Sequence, residues 1–309
     1  MRVAVVDIGT NSTRMLVADV DRAGHLRELD RRTEVTRLGE GVDASGTLSS
    51  SAMARVTKAI DGYAQAIDEL AADARIAVLT SAVRDSSNGE QFVASLRERY
   101  GLEARIISGE EEAQLTFLGA MSDRGAARPT LVVDVGGGST ELVVGALGVV
   151  SFHVSLQVGV VRQTERHLHG DPPSPGELLA LRRDVRTLIE RDVPEAERRG
   201  VERAIAVAGT ATSLAAIDQA LAPYDRELVH GYRLDIVTTR LLLSRLAAMP
   251  LAERRETRGL HPDRAPTIVA GTMILIEVLD AFGLDGFEVS ENDILRGAAL
   301  RRAGVASTA

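Results

Sequence analysis

The chain of 309 residues has no cysteine, which removes disulfides, thiolate zinc sites and cysteine nucleophiles together. Its chemistry must therefore use oxygen and nitrogen ligands. Lysine is almost absent as well, Lys58 being the only one. A Walker phosphate loop requires Gly-Lys-Ser/Thr, so a phosphate cradle in this chain uses backbone amides, hydroxyl groups or arginines. No apolar run approaches the roughly 18 residues that cross a bilayer. Met1-Arg2 leads directly into a strand-like run without a signal-peptide pattern. These features predict a cytoplasmic protein with no membrane partner. The net charge of −8 argues against non-specific nucleic-acid binding, which calls for a basic surface.

The length suggests about two domains at roughly 150 residues each. Periodicity predicts strands at 2–7, 14–20 and 26–37, a helix at 49–71, a strand at 75–82, a helix at 88–100, a strand at 103–108 and a helix at 109–121. The segment 122–130 has the small, polar composition of a linker, so the domains are expected to span 1–125 and 126–309. The order then repeats. Strands are expected at 130–135, 141–147 and 149–158, and helices from Val160 and over 175–192. Further on come a strand at 203–209, helices at 211–221, 235–248 and 265–282, a strand at 287–291 and a helix from Asp293. Ser174-Pro175-Gly176-Glu177 is a capping-box start for the 175–192 helix. Three strands followed by alternating helices and strands, twice over, imply two α/β domains with mixed sheets.

The informative feature is a repeated loop. "VVDIGTNSTRMLV" (Val5 to Val17) and "VVDVGGGSTELVV" (Val132 to Val144) both run from an apolar strand through Asp, one residue, Gly and small polar residues into a second strand. A hairpin that merely needs glycine explains one such loop, but two matched loops in two halves point to phosphate binding. Glycine allows close backbone approach to a ligand. The cradle would use the amides of Gly9, Gly136, Gly137 and Gly138 with the side chains of Thr10, Asn11, Ser12, Ser139 and Thr140. An aspartate beside it, Asp7 or Asp134, suits a hydrated Mg²⁺ rather than phosphate itself, because like charges repel.

These loops, with "IAVAGTATSLAA" (Ile205 to Ala216), resemble the two phosphate loops and adenosine loop of the actin, sugar kinase and heat-shock chaperone ATPase superfamily. "RLGEGV" (Arg37 to Val42), "TSAVRDSSNG" (Thr80 to Gly89), "ISGEEEAQLTFLG" (Ile107 to Gly119) and "LQVGVVRQTE" (Leu156 to Glu165) narrow the resemblance. They are similar to motifs of the exopolyphosphatase and guanosine pentaphosphate phosphohydrolase family, in family order over most of the chain. The resemblance implies two ribonuclease-H-like, actin-like domains with mixed five-stranded sheets and an interdomain cleft, the terminal helix packing back on the first domain. It also implies roles. Glu112 is the base that orients water, Asp134 and Glu141 serve metal binding and catalysis, and Arg84 meets phosphate oxygens. Asp7 joins them as a metal ligand, with Mg²⁺, or Mn²⁺ in its place, as cofactor.

Helix geometry separates the three consecutive acids. Ser108 reads as an N-cap with Glu111 closing a capping box. Glu112 shares a face with Leu115, Thr116 and Gly119 and points inward, where burial raises a carboxyl pKa. Gly209 and Thr210 open either a nucleotide loop or a plain strand-to-helix turn. His167 and His169 read as surface residues, and Arg296 as structural.

The expected activity is release of terminal phosphate from inorganic polyphosphate. The chain has no His-Asp dipeptide and resembles the short, two-domain form, which predicts a preference for short chains. Hydrolysis of guanosine pentaphosphate is the alternative substrate reading. A kinase or a non-catalytic nucleotide or polyphosphate sensor is the alternative class. A homodimer is expected, with the apolar segment Thr267 to Leu279 reading as either core or dimer interface.

Overall fold

The computed structural model describes residues 1–124, 128–146 and 149–305. The expected domain boundary, between 125 and 126, and the expected end of a strand at 147 lie outside the described residues. The chain divides into two compact units. The first comprises Met1–Ser122 and the stretch from Asn292, and the second is Asp123–Glu291.

The first unit carries a five-stranded sheet of β1 (Arg2–Ile8), β2 (Thr13–Val20), β3 (Leu26–Glu34), β4 (Ala74–Leu79) and β5 (Glu103–Ile106), in the order β3-β2-β1-β4-β5. The β1–β2 and β2–β3 pairs are antiparallel, while β1–β4 and β4–β5 are parallel. β1 is apolar on both faces because both are covered. Ala4, Val6 and Ile8 enter one core layer, with residues of the Ser50–Glu69 and Gly89–Tyr100 helices, and Val3 and Val5 enter the other. That second layer is completed by Leu115 of the Gly109–Met121 helix and by Ile294, Leu295 and Ala298 of the last helix, Ile294–Arg302. These two helices touch backbone to backbone. A Cβ on Gly119 would lie 1.9 Å from the Asp293 carbonyl oxygen, and one on Gly297 would lie 1.8 Å from that of Leu115. β3 is polar and partly exposed, as suits a charged sheet edge.

The second unit carries β6 (Thr130–Val135), β7 (Thr140–Ala146), β8 (Val149–Leu156), β9 (Arg203–Val207), β10 (Arg233–Asp235) and β11 (Gly286–Val289), in the order β10-β11-β9-β6-β7-β8. The α/β class with two mixed sheets is as read from the sequence, but this sheet has six strands instead of five. The extra one, β10, is a three-residue edge strand paired antiparallel to β11. It is too short to show an alternating pattern. The Ile268–Phe282 helix is buried along almost its whole length in the core of the second unit. That settles the apolar segment Thr267 to Leu279 as core.

Other differences are local. The third strand ends at Glu34 instead of 37, because residues 36–39 turn back onto the first glycine loop. The 75–82 segment stops as a strand at Leu79 and continues into a short helix, Ser81–Arg84. The 203–209 strand stops at Val207, where Ala208 takes a positive φ of 61° at the start of the Ala208–Asp218 helix. No helix among the described residues is long and apolar enough to cross a membrane.

The predicted capping box on the Pro175–Asp192 helix is present. The Glu177 carboxylate accepts the amides of His169, Gly170 and Ser174 and the Ser174 hydroxyl, at 2.7 to 2.9 Å. The Ser174 bonds, then those from His169 and Gly170, pull its pKa down to about 2 from 4.5. A depressed carboxyl pKa contributes stability that is present above the unfolded value and lost as pH falls through the folded one. Between pH 4.5 and 2 the urea midpoint of Glu177→Gln should therefore fall less steeply than that of the wild type, while lying below it at pH 7. Parallel acid limbs would refute the assignment.

Candidate active site

In both units the first hairpin has one geometry. The Gly9 amide donates to the Ser12 carbonyl at 3.0 Å, and the Gly136 amide to the Ser139 carbonyl at 3.0 Å. A Cβ would meet those same carbonyl oxygens at 3.2 Å and 3.0 Å, so the close turn selects glycine at both positions. Ladder register then fixes what flanks each turn. Asp7 stands directly opposite Arg14, and Asp134 directly opposite Glu141. Opposed residues of an antiparallel pair share a face.

In the first unit the strand ends converge. Thr80 N donates to the Ile8 carbonyl at 3.3 Å and Ile107 N to that of Leu79 at 3.0 Å. The hairpin after β1, Arg84 after β4 and Glu112 after β5 are thereby brought to one edge, the carboxyl ends of the parallel strands, where α/β sheets bind ligands. The Thr10 hydroxyl lies 2.8 Å from that of Ser81 and accepts the Ala82 amide at 3.2 Å, so it holds the hairpin to the Ser81–Arg84 turn. Residues 36–39 clasp the other side, with Arg37 N on the Asn11 carbonyl at 2.9 Å and Gly39 N on that of Thr10 at 2.8 Å. Asn11 is buried, and Gly9 and Ser12 are half-buried.

Glu112 is buried at 8% exposure. Arg84 Nη1 reaches its Oε2 at 3.3 Å and donates to the Ile107 carbonyl at 2.9 Å. A guanidinium has five N–H donors, so Arg84 retains Nε and Nη2. Ser108 is the expected N-cap, accepting from Glu111 N at 3.1 Å. The capping box is not formed, because Arg105 takes the Glu111 carboxylate in a two-pronged pair at 2.5 and 2.6 Å and draws its pKa down.

Arg14 and Asp293 are the residues that sequence reasoning missed. Arg14 donates to Asp7 Oδ2 from Nε at 2.9 Å and from Nη2 at 2.5 Å, and from Nη1 to Asp293. Asp293 in turn accepts Leu295 N at 3.1 Å as cap of the last helix. Asp7 Oδ1 is buried without a hydrogen bond. Burial pushes the Asp7 carboxyl up, Arg14 pulls it down, and Asp293 adds a smaller upward push. The signal for Arg14 was spacing, since it follows Asp7 by the interval that separates Glu141 from Asp134.

In the second unit Asp134, Glu141 and Ser155 form a row across β6, β7 and β8, and Ser155 Oγ donates to Glu141 Oε1 at 2.8 Å. Both carboxylates are buried. The turn is braced by the start of the Val160–His167 helix. Val160 N reaches the Gly136 carbonyl at 2.9 Å and Val161 N that of Gly137 at 2.8 Å. A Cβ on Gly159 would lie 2.3 Å from Gly137 O. The Thr140 hydroxyl is used internally, on the Val158 carbonyl at 2.6 Å. Gly136 and Gly137 are half-buried, while Gly138 and Ser139 are buried.

Gly209 is the seat of an arginine. A Cβ there would lie 1.2 Å from Arg264 Nη1, and Thr210 is buried against Gly271. His167 is not a free surface residue: its Nε2 lies 3.1 Å from Asp184 Oδ2 and its side chain is only 17% exposed. His169 is exposed. Arg296 Nε donates to Ser122 Oγ at 2.6 Å, tying the last helix to the end of the Gly109–Met121 helix.

Among the described residues no three or more His, Asp or Glu side chains gather as a metal cluster. Mg²⁺ needs no such cluster, since one or two carboxylates with waters and substrate phosphates suffice. Facing carboxylates favour a cation between them, so Asp134 and Glu141 fit the ion. Asp7 fits it less well, because Arg14 already occupies one of its oxygens.

Two α/β units whose first hairpins repeat one aspartate-led glycine turn define the actin-like class of fold. The chain belongs to the Ppx/GppA phosphatase family, whose model matches residues 16–301. It is 38% identical to exopolyphosphatase 2 of Mycobacterium tuberculosis, over 98% of this chain and 99% of that protein. A crystal structure of an exopolyphosphatase-like protein superposes with a TM-score of 0.90 at 35% identity, covering 98% of this chain and all of that one. The Ppx/GppA family member of Aquifex aeolicus gives 0.83 at 29% identity, covering 98% and 97%.

Proposed function

We propose that the chain is an exopolyphosphatase that releases terminal phosphate from inorganic polyphosphate, favouring short chains. The observation that carries this reading is the placement of Glu112, a buried carboxylate tied to Arg84 at the strand-end edge that also bears the first glycine hairpin. A hydrolase needs a base for water at such a place and a sensor needs none, while a kinase would turn its base towards an acceptor hydroxyl. The name of the Mycobacterium tuberculosis relative supports the same reading.

Phosphoryl transfer calls mainly for positioning and charge stabilisation. Within the first unit, the Gly9–Ser12 hairpin and the remaining donors of Arg84 suit phosphate oxygens, and Glu112 is placed to orient a water and take its proton. Within the second unit, the Gly136, Gly137 and Gly138 amides with Ser139 form a hairpin of the same kind. Asp134 and Glu141 would hold Mg²⁺ or Mn²⁺, which when bound offsets charge on the phosphate oxygens. As the water oxygen bonds to the terminal phosphorus, the bond from that phosphorus to the bridging oxygen breaks, and the shortened chain leaves with the bridging oxygen.

The test is phosphate release from short and long polyphosphate, guanosine pentaphosphate and ATP, each with Mg²⁺ and with chelator. Mg²⁺-dependent release, fastest from short polyphosphate, is expected. Release confined to guanosine pentaphosphate would transfer the assignment to that substrate. No release from any of them would overturn hydrolysis in favour of a sensor.

A further inference from the structure

The chain enters the second unit at Asp123 and leaves it at Glu291. Within that unit, one imidazole touches both ends. His230 Nε2 lies 3.0 Å from Asp123 Oδ2, and His230 Nδ1 accepts the Glu291 amide at 3.1 Å. An accepting Nδ1 carries no proton, so Nε2 is the N–H that donates to Asp123. Both ring nitrogens are thus committed, one to each connecting segment.

The ring is itself fixed. His230 N donates to the Arg226 carbonyl at 2.9 Å, and the next two residues pair with the end of β11, through Gly231 N on Val289 O and Val289 N on Tyr232 O, each at 2.8 Å. Arg124 makes a parallel tie. Its Nη1 reaches Asp123 Oδ1 at 2.8 Å and Ser290 Oγ at 3.2 Å, while its Nε reaches Glu288 Oε1 at 2.8 Å. The exit is anchored further by Ser290 N on the Ala206 carbonyl at 2.9 Å, and the Glu291 carboxylate accepts from Arg226 Nε at 2.9 Å and from the Tyr224 hydroxyl. A single exposed ion pair is worth little. Here two side chains cross-link the same two backbone segments.

We infer that His230 is a positioning residue: it sets the conformation of both connecting segments at their second-unit ends, and through them the rate of hydrolysis. The catalytic part of this inference rests on the exopolyphosphatase reading. In chain order Glu112 precedes the first connection, and Asp134 and Glu141 follow it. Residues that fix connecting segments lie away from the chemistry, yet alter kcat and KM together when changed.

Three substitutions divide the two bonds. His230→Ala removes both, His230→Asn keeps an acceptor near Nδ1, and His230→Gln keeps a donor near Nε2. Amide exchange at Glu291 and steady-state kinetics on short polyphosphate are measured on each full-length variant. His230→Ala should speed exchange at Glu291 while leaving β6 and β9 protected, and lower kcat by about 10- to 100-fold with a change in KM. His230→Asn should restore Glu291 protection and part of the rate, whereas His230→Gln should leave Glu291 unprotected. Unchanged exchange at Glu291 in His230→Ala would overturn the tie, and faster exchange with wild-type kcat and KM would overturn its effect on rate. A wild type that releases no phosphate defeats the exopolyphosphatase reading and the rate assignment with it, while the exchange measurement still decides the tie.

Discussion

Glu112→Gln should lower kcat by about 10²- to 10⁴-fold, the range supplied by a positioned general base, with KM and polyphosphate binding close to wild type. Glutamine has the same shape, and its amide oxygen can still accept from Arg84 Nη1, which lies 3.3 Å from the carboxylate. The buried surroundings of the side chain should therefore survive the change while the capacity to take a proton is lost. The adjoining acid is the control. Glu111 is engaged by Arg105 at the surface, and a partly exposed pair contributes roughly 0–1 kcal/mol, so Glu111→Gln should retain nearly full turnover. Initial rates of phosphate release, with equilibrium binding of polyphosphate to the inactive variant, check both. Turnover within twofold of wild type for Glu112→Gln would remove Glu112 from the base position.

The elements that could be read from sequence are those with a strong period or a strong punctuation mark. β1 and β6 each carry an unbroken apolar run, Val3–Val6 and Leu131–Val133, because both faces are covered, and Ser174-Pro175-Gly176-Glu177 marks a helix start that forms as written. β10 was not legible, since three residues carry no period and its pairing with β11 is decided by tertiary structure. Of the site, the paired hairpins and the inward face of Glu112 followed from spacing. The fate of Glu111 did not. Its competition between the Ser108 amide and Arg105 is settled by how close β5 brings that guanidinium, which helix-start rules do not include. Thr10 and Thr140 look like ligand hydroxyls in the sequence, yet both are spent on the protein's own loops.

Arg14→Met should destabilise the first unit by about 3–5 kcal/mol at neutral pH, the usual cost of removing one partner from a buried ionic group. Arg14 is 14% exposed and bridges two carboxylates, Asp7 and Asp293, each 5% exposed. Without it, Arg31 Nη1 remains 4.0 Å from Asp293 Oδ1, a longer approach than either contact of Arg14. The sign of the pH dependence follows from Asp7. Burial already pushes its carboxyl up against the pull of Arg14, and the variant leaves that push unopposed. A carboxyl whose folded pKa exceeds its unfolded value favours the folded state below the unfolded value, and that contribution is lost as pH rises through the folded one. The urea midpoints of wild type and Arg14→Met should therefore lie furthest apart near pH 8 and draw together as pH falls towards 4. Adding Asp7→Asn to the variant should recover part of the loss at pH 8, because the amide carries no charge to be stranded. A gap that stays constant or widens on acidification would show that Arg14 acts through packing alone. In the second unit Glu141 occupies the position of Arg14. The same hairpin thus sets a guanidinium opposite its aspartate in one copy and a second carboxylate opposite it in the other.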